Sequence, residues 1–437
     1  MKKGLNREII ALAIPNIISN ISVPLISSVD TALMGSVSAL HLGAIGLGSM
    51  LFNFLYWNFS FLRMGTTGMT AQAYGANDTR ASIHHLGRAL LLAILFGSLM
   101  IIAQFPLQQL GFYLLQIPAA QQEMVGQYFT IRILAAPLTL SLMTFMGWYF
   151  GQQNAIYPLL ITIAVNIANI VFSSVLVMHY QLGIAGVAYG TVLAQAVGVL
   201  VAVVLFMIRY RKLITFFDVQ YFWNATAFGG FLRVNSDIFL RTLCLTIVFG
   251  FFYSQSAAIS PEILAVNTIL LQFLNWMSFG VDGFAYAAES LVGKYHGRQE
   301  PKELRRVIRL SLYWGMALAI SYTVVYALFG NFLLGLFSDD VAILQAAQPY
   351  LWWMIVLPII GTPCYIWDGI YVGLTASKSM RNTMFIALIV YFMTYYIGIY
   401  YDNNRAASLL WAALLLFLAA RGVLQYIWYQ KKGLQLK

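Results

Sequence analysis

Residues 184–208 read IAGVAYGTVLAQAVGVLVAVVLFMI and contain no charged side chain. A helix of this length spans the hydrocarbon core of a bilayer, which is about 30 Å thick, at about 1.5 Å per residue. Similar apolar runs follow one another along almost the whole chain. Hydrophobic residues make up 60% of the sequence and charged residues 9%, against about 25% charged in soluble domains. The chain lacks the polar residues needed for a water-exposed surface, so we predict an integral membrane protein.

Twelve apolar runs are predicted to be transmembrane helices. The first is expected to be retained, because no A-x-A cleavage site with a polar region follows it. Cys244 and Cys364 both fall inside predicted spans, so no disulfide framework is expected. The spans lie near residues 9–34, 43–72, 84–109, 124–150, 158–178, 184–208, 228–256, 263–291, 307–332, 345–372, 383–401 and 406–428.

The net charge of +10 is distributed by loop. Lysine and arginine concentrate in alternate loops, while the loops between them carry mainly Asp339, Asp340, Asp402 and Arg405. With an even number of spans, this positive-inside pattern predicts that both termini are cytoplasmic in a bacterial cytoplasmic (inner) membrane. It also explains the basic composition without nucleic acid as a partner. The basic loop 293–306 is a candidate contact for anionic lipid.

The sequence contains an internal repeat, in which Tyr149 falls on Tyr371 at an offset of 222 residues (371 − 149). Six predicted spans separate the copies, so both halves enter the membrane in the same orientation and a pseudo-twofold axis along the membrane normal is expected. We predict an all-α integral membrane fold of two six-helix bundles, 1–212 and 213–437, with alternating access to a central cavity. The matched pairs are Asn53–Asn275, Gly75–Gly297, Tyr149–Tyr371 and Gly151–Gly373.

Polar side chains within spans are candidates for function, because charge is costly there unless it faces a cavity or a partner. Asp30 follows two prolines on the first span, so a bendable helix could couple its protonation to shape. A helix-end aspartate at the outer interface is the alternative. Asn166, Asn169 and Ser173 form a polar stripe on the fifth span. They would line a cavity beside Asp30 or form interhelical hydrogen bonds.

The second half carries further acidic candidates. Asp282 and Glu289 are spaced to share one helix face, and with Asp368 they are predicted to form a second acidic cavity for a cationic ligand. Aromatic side chains in either half could stack on flat cations, with packing or interface positions as the alternative. The aromatic candidates are Tyr56, Trp276 and Tyr365.

Two charge pairs are also predicted. Asp237 and Arg241 are spaced i, i+4, so we expect a mutual ion pair with a structural role. Through the repeat, Arg63 falls at about the depth of Glu289 in the other half. We hypothesise that these two side chains approach each other in the outward-open state as part of an inner gate.

Five segments carry a family resemblance: ALAIPNIISNISVPLISSVDTALMG (11–35), FLRMGTTGMTAQAYG (61–75), NSDIFLRT (235–242), DGFAYAAESLVG (282–293) and WDGIYVGLTASKSMRNTM (367–384). They resemble the DinF-like branch of the multidrug and toxic compound extrusion (MATE) family. The resemblance implies export of amphipathic, usually cationic compounds in exchange for protons or sodium, with Asp30 as the family's first-span acid and Asn169 as its fifth-span asparagine. Ser173 occupies the position of the family's second acid, so Asp30 would act with Asn166, Asn169 and water. Protons are therefore favoured over sodium.

The expected partners are small amphipathic or cationic compounds and membrane lipids, and a monomer is expected. No cofactor or metal is predicted beyond the coupling ion, H+ or alternatively Na+.

A lipid-linked precursor flippase would need a cationic cavity for pyrophosphate, whereas the charges noted within the spans lean acidic. A membrane-embedded enzyme is the other competing class. No H-E-x-x-H or G-x-S-x-G motif falls in a span, so no catalytic activity is predicted.

Overall fold

The computed structural model describes residues 4–35, 39–338, 340–402 and 405–432, with the backbone alone at 23–35, 39–40 and 432. These residues form helices and turns without a strand, which confirms the predicted all-α class. The chain divides into two compact units, Ile18–Asn235 and Met1–Ile17 with Ser236–Lys437, called here the N-terminal and C-terminal units. The predicted lobes, 1–212 and 213–437, follow the repeat rather than the packing, so their limits stay a prediction.

Ten helical segments within the described ranges are long and apolar enough to cross a membrane. Each of the twelve predicted spans falls on one helix or on two consecutive helices. The helices of the first half are α1 (Leu5–Gly35), α2 (Ala39–Trp57), α3 (Phe61–Gly75), α4 (Thr79–Ile102), α5 (Gln104–Leu114), α6 (Ala119–Arg132), α7 (Ala136–Gly151), α8 (Ile156–Ser174), α9 (Gly183–Tyr210) and α10 (Val219–Phe222). Those of the second half are α11 (Ala225–Ile259), α12 (Pro261–Gly297), α13 (Pro301–Gly335), α14 (Val341–Ala347), α15 (Leu351–Gly373), α16 (Ser377–Tyr401) and α17 (Ala406–Lys432).

Several predicted spans change pitch along their length. Between α6 and α7 the chain tightens into a 3₁₀ turn at Ile133–Ala135, because Pro137 has no N–H to donate to the carbonyl of Ile133. The span predicted at 43–72 is interrupted between α2 and α3 by a tight turn, in which the Ser60 N–H donates to the Trp57 carbonyl at 3.1 Å. Proline chemistry and local hydrogen bonding therefore divide spans that hydropathy shows as continuous.

The internal repeat reappears in the contacts within each unit. A Cβ added at Gly147 would overlap the carbonyl oxygen of Arg63, and one added at Gly369 would overlap that of Ala285. Both members of the first pair are shifted by 222 residues to give the second. In each unit, therefore, one helix of the repeat packs backbone against backbone, at a position where only glycine fits.

The turns that follow these helices repeat as well. Asn77 and Gln299 have φ of 56° and 55°, and Gln153 and Thr375 have φ of 61° and 51°. All four are left-handed positions, uncommon for side chains other than glycine. Each pair again differs by 222 residues, so the duplicated sequence has kept the same strained turn geometry twice.

The first residues of α1 pack within the C-terminal unit. Glu8 accepts from Lys294 Nζ at 2.7 Å and from the Tyr295 hydroxyl at 3.2 Å, and Gly283 lies against Ala13. Correspondingly, the first residues of α11 belong to the N-terminal unit, where a Cβ on Gly65 would meet the side chain of Asn235.

The segment that follows α9 is bound to α4. Arg88 is buried and donates from Nε to the Phe222 carbonyl at 3.0 Å and from a terminal nitrogen to the Tyr221 carbonyl at 2.6 Å. His84 accepts the backbone N–H of Asp218 at 3.0 Å and stacks on Phe217. Arg88 falls in the predicted span 84–109 and so carries the signal of a charge within a span, although it was not among the residues predicted from the sequence.

Asp218 makes the stability of the segment 211–224 depend on pH. Its carboxylate accepts the backbone N–H groups of Tyr221 and Gln220 and pairs with Arg80, and these contacts, the Tyr221 bond foremost, lower the pKa of Asp218 below its usual value. A carboxylate whose pKa is lowered by folding stabilises the folded state at pH values above its unfolded-state pKa, and this stabilisation is lost as the pH falls through its folded-state pKa.

We expect proteolysis of 211–224 to increase on acidification in the natural protein. Asp218→Asn should be cleaved faster at neutral pH, with less further change in acid.

The matched control is Asp340→Asn, because Asp340 caps α14 in the same manner through the N–H of Ala342. This change should leave cleavage of 211–224 and its pH profile unaltered. An unaltered profile in Asp218→Asn would contradict the assignment.

Candidate functional site

The polar stripe predicted on the fifth span forms one buried face of α8. Asn166, Asn169 and Ser173 are 9%, 1% and 0% exposed, and their spacing places them on one side of the helix. The Asn166 amide nitrogen donates to the Ser22 carbonyl of α1 at 3.1 Å, and that of Asn169 donates to Thr191 Oγ1 of α9 at 3.1 Å. The donors of this face therefore join α8 to both neighbours, as the interhelical alternative predicted.

The side-chain oxygens of the same face, unlike the amide nitrogens, form no hydrogen bond with any described residue. Asn166 Oδ1, Asn169 Oδ1 and Ser173 Oγ are buried and have no hydrogen-bond partner within the described part of the chain. Buried polar atoms are normally paired, and an unpaired one costs free energy in a low-dielectric interior. Three such oxygens on one helix face are suited to accept from water or to surround a small cation.

Neighbouring helices enclose this face closely. The backbone of α9 approaches at Gly190, where a Cβ would overlap Ser173 Oγ. On α1, Ser19 Oγ lies 2.8 Å from Thr162 Oγ1 of α8. Asp30 belongs to the same helix α1, but its side chain lies outside those that the structure describes. α8 then ends in a π-turn, in which the Tyr180 N–H bonds to the Val175 carbonyl at 3.2 Å.

In the C-terminal unit, Asp368 is the centre of a buried charge cluster. Its Oδ2 accepts from the guanidinium groups of both Arg241 and Arg421, the latter at 2.6 Å, and its Oδ1 accepts from Gln425 at 2.6 Å. All four residues are at most 8% exposed. Two cations share one carboxylate, so this part of the predicted second acidic cavity is not an open acidic site.

The predicted ion pair between Asp237 and Arg241 is wrong. Arg241 binds Asp368, whereas Asp237 accepts from Arg381 at 2.6 Å and from the Ser377 hydroxyl at 2.9 Å. Spacing of i, i+4 makes a pair possible on one helix, but each side chain here reaches a partner on another helix. A buried charge is stable only when it is paired, so Asp237 and Arg241 are each held by the partner that faces them from another helix.

Arg421 and Gln425 were not named by our sequence analysis. Both fall in the last predicted span, 406–428, so the signal for Arg421 was a charge within a span. Gln425 carries no such signal because a glutamine is neutral. With Arg241 and Arg421 both beside the one carboxylate of Asp368, the charges around Asp368 do not lean acidic.

The remaining predicted residues are divided between the units. Tyr56 and Arg63 belong to the N-terminal unit, whereas Asp282, Glu289, Trp276 and Tyr365 belong to the C-terminal unit. The gate between Arg63 and Glu289 therefore stays a prediction, as does a cavity shared by the two units.

Within the units, the aromatic candidates have identifiable surroundings. Trp276 packs on Phe337, with ring centroids 5.1 Å apart, and Tyr56 packs on Phe52 at 5.5 Å. The ring of Tyr365 lies 6.0 Å from the guanidinium carbon of Arg421. Of the three, Tyr365 is thus the one next to a charged cluster.

Comparisons with known proteins agree with the repeat and the fold. A model of the MatE family matches residues 15–175 and 238–397. The chain is 35% identical to DNA damage-inducible protein F of Escherichia coli over 423 residues, covering 95% of this chain and 90% of that protein. It is 22% identical to the probable multidrug resistance protein NorM of Thermotoga maritima, covering 79% and 75%. A crystal structure of a MATE protein in a bent conformation superimposes with a TM-score of 0.88 at 17% identity, covering 98% of this chain and 96% of that one.

Proposed function

Because the chain belongs to the MatE family of transporters, we propose that it exports amphipathic, cationic compounds across the bacterial cytoplasmic membrane in exchange for protons. The proposal places both termini in the cytoplasm, in keeping with the distribution of lysine and arginine over alternate loops. It requires only binding and conformational change, so we propose no catalytic activity. The similarity to a probable multidrug resistance protein supports export rather than uptake.

The observation that carries the coupling proposal is the set of three buried oxygens on α8 that form no hydrogen bond with any described residue. Asn166 connects this face to α1, the helix to which Asp30 belongs. A carboxyl group in such surroundings is ionised only if water or polar atoms solvate it, so its proton affinity depends on how α1 packs. We propose that Asp30 takes up the transported proton and that the oxygens of Asn166, Asn169 and Ser173 hold the water that solvates its ionised form.

The C-terminal unit favours a structural role for its central acid. Asp368 already accepts from two guanidinium groups and an amide. Protonating it would leave two buried cations without a counter-charge, which is strongly unfavourable. The surroundings of Asp368 therefore support proton coupling in the N-terminal unit rather than at Asp368.

One observation favours sodium as the second candidate for the coupling ion. Hard cations bind oxygen ligands, and the α8 face provides three oxygens that no described residue uses. A sodium ion would need these neutral oxygens and one carboxylate, whereas a proton needs the carboxylate alone. Since Ser173 supplies a hydroxyl where a second acid would add charge, the proton is preferred.

The test is accumulation of a fluorescent cationic dye in everted vesicles that contain the natural protein or Asp30→Asn. When the vesicle interior is acidic, the natural protein should accumulate dye. The initial rate of accumulation should be at least about tenfold lower in Asp30→Asn, since a neutral amide takes up no proton. Glu123→Gln is the matched control, because Glu123 is an exposed carboxylate on α6, and its rate should be unchanged.

The imposed gradient separates the alternatives. Accumulation driven only by a sodium gradient would replace the proton by sodium and leave export standing. No accumulation under either gradient would contradict export of cationic compounds. Equal rates in Asp30→Asn and the natural protein would remove Asp30 from the coupling step.

A further inference from the structure

A groove opens at one end of the C-terminal unit, between the start of α13 and the ends of α15 and α17. Its volume is about 460 Å³, within the range of small-molecule sites. The loops at this end of the unit are 298–300 and 374–376. Each is part of a longer connection between predicted spans, 292–306 and 373–382, and these connections carry lysines and arginines that predict the cytoplasmic side. The groove would therefore open near the inner headgroup layer.

One wall of the groove is cationic. Arg305 and Arg309 both line it and are both exposed. Their i, i+4 spacing places two like charges side by side, an arrangement that is unfavourable without a counter-ion. The groove lining contains no carboxylate, and in the described ranges neither arginine forms an ion pair. The adjacent Arg306 does not line the groove and lies 4.0 Å from Glu303.

The rest of the groove lining is mainly aromatic and aliphatic. Trp367 packs against Tyr429 and Tyr426, with ring centroids 5.1 and 6.1 Å apart, and Tyr426 remains 50% exposed. Tryptophan and tyrosine are typical of the headgroup level, where an apolar ring and a polar tip are both accommodated. Leu304 and Ile308 continue the apolar surface along α13.

This combination points to a ligand that is anionic at one end and apolar at the other. Inorganic phosphate would use the arginines but leave the aromatic wall exposed to water. A zwitterionic lipid would place its ammonium group, a third cation, beside the two arginines. From the geometry we infer that the groove binds an anionic phospholipid, with its phosphate on Arg305 and Arg309 and its glycerol and upper acyl carbons against Trp367 and Tyr429.

Arg305→Gln/Arg309→Gln tests this inference, with Arg306→Gln as a control of the same charge class on the same helix turn. Purified protein in lipid-free detergent is titrated with phosphatidylglycerol or phosphatidylcholine and the adducts are measured by native mass spectrometry. In the double variant both charge-assisted contacts to the lipid phosphate are lost. It should therefore bind phosphatidylglycerol at least about tenfold more weakly, while Arg306→Gln binds it as the natural protein does.

Phosphatidylcholine should bind weakly to all three proteins. Equal phosphatidylglycerol binding by the double variant would overturn the inference, and an equal loss in Arg306→Gln would reduce it to non-specific attraction. Displacement of the lipid by millimolar inorganic phosphate would reassign the groove to a free anion. The arginines are exposed, so all three proteins should unfold at the same temperature before lipid is added. The inference does not depend on the transported compound.

Discussion

Replacing Asp368 by asparagine is expected to lower the free energy of unfolding by about 3–5 kcal/mol, the usual cost of removing one partner from a buried ion pair. The change leaves Arg241 and Arg421 buried beside each other without a counter-charge, and the two guanidinium groups then repel each other. Unfolding of the purified protein in detergent, followed by tryptophan fluorescence during a denaturant titration, measures the effect.

Two variants separate loss of charge from loss of a hydrogen bond. Asp237→Asn should cost about 1–2 kcal/mol, because its partner Arg381 has a side chain 25% exposed and can turn towards water. Adding Arg421→Gln to Asp368→Asn should restore part of the lost stability, so that the effects are not additive. A fully stable Asp368→Asn would show that the cluster is neutralised by some other group.

Gly369→Ala and Gly147→Ala should each destabilise the protein by more than about 2 kcal/mol, at the upper part of the range for overpacking. At both positions the added Cβ would overlap a backbone carbonyl oxygen, of Ala285 and of Arg63 respectively. Neither oxygen can move without shifting its helix. Equal effects at the two sites would show that the repeated close approach is needed in both halves.

The control substitutions are Gly250→Ala and Gly46→Ala, because a Cβ at either position meets nothing within 4 Å. These changes should be neutral or stabilise their helices by up to about 1 kcal/mol, since alanine has the higher helix propensity. Loss of stability in the controls as large as at Gly369 would mean that the close contact is not the cause. Expression level and thermal unfolding in detergent distinguish the two groups.

Hydropathy predicted the helices because bilayer-spanning backbone must satisfy its hydrogen bonds within each segment. The repeat was visible in the sequence as residues matched at an offset of 222, and the left-handed residues Asn77 and Gln299 show the same offset in the turns. Side-chain partners were harder to predict, because sequence spacing defines neighbours on one helix but not which helix faces another. Asp237 and Arg241 were paired incorrectly for this reason.

The α8 stripe shows what can be foreseen of a site. Its residues do share one buried face, as their spacing indicated. The structure then separates two uses that composition cannot separate, because the amide nitrogens of Asn166 and Asn169 bind neighbouring helices while their oxygens bind no described residue. Which atom of an amide is used depends on the approach of α1 and α9, and this information is absent from a single helix.

The first residues of α1 pack in the C-terminal unit, and the first residues of α11 pack in the N-terminal unit. This exchange of helix beginnings is relevant to how the gene could have doubled. In a half-length ancestor, the first residues of the first helix would have had no surface to pack on within their own chain. A second copy would have been needed to supply that surface, as in domain-swapped dimers. Fusing two such copies would have made the exchange intramolecular. A present-day fragment that ends near residue 235 would accordingly retain the acceptor for α11 but leave the first turns of α1, including Glu8, without Lys294.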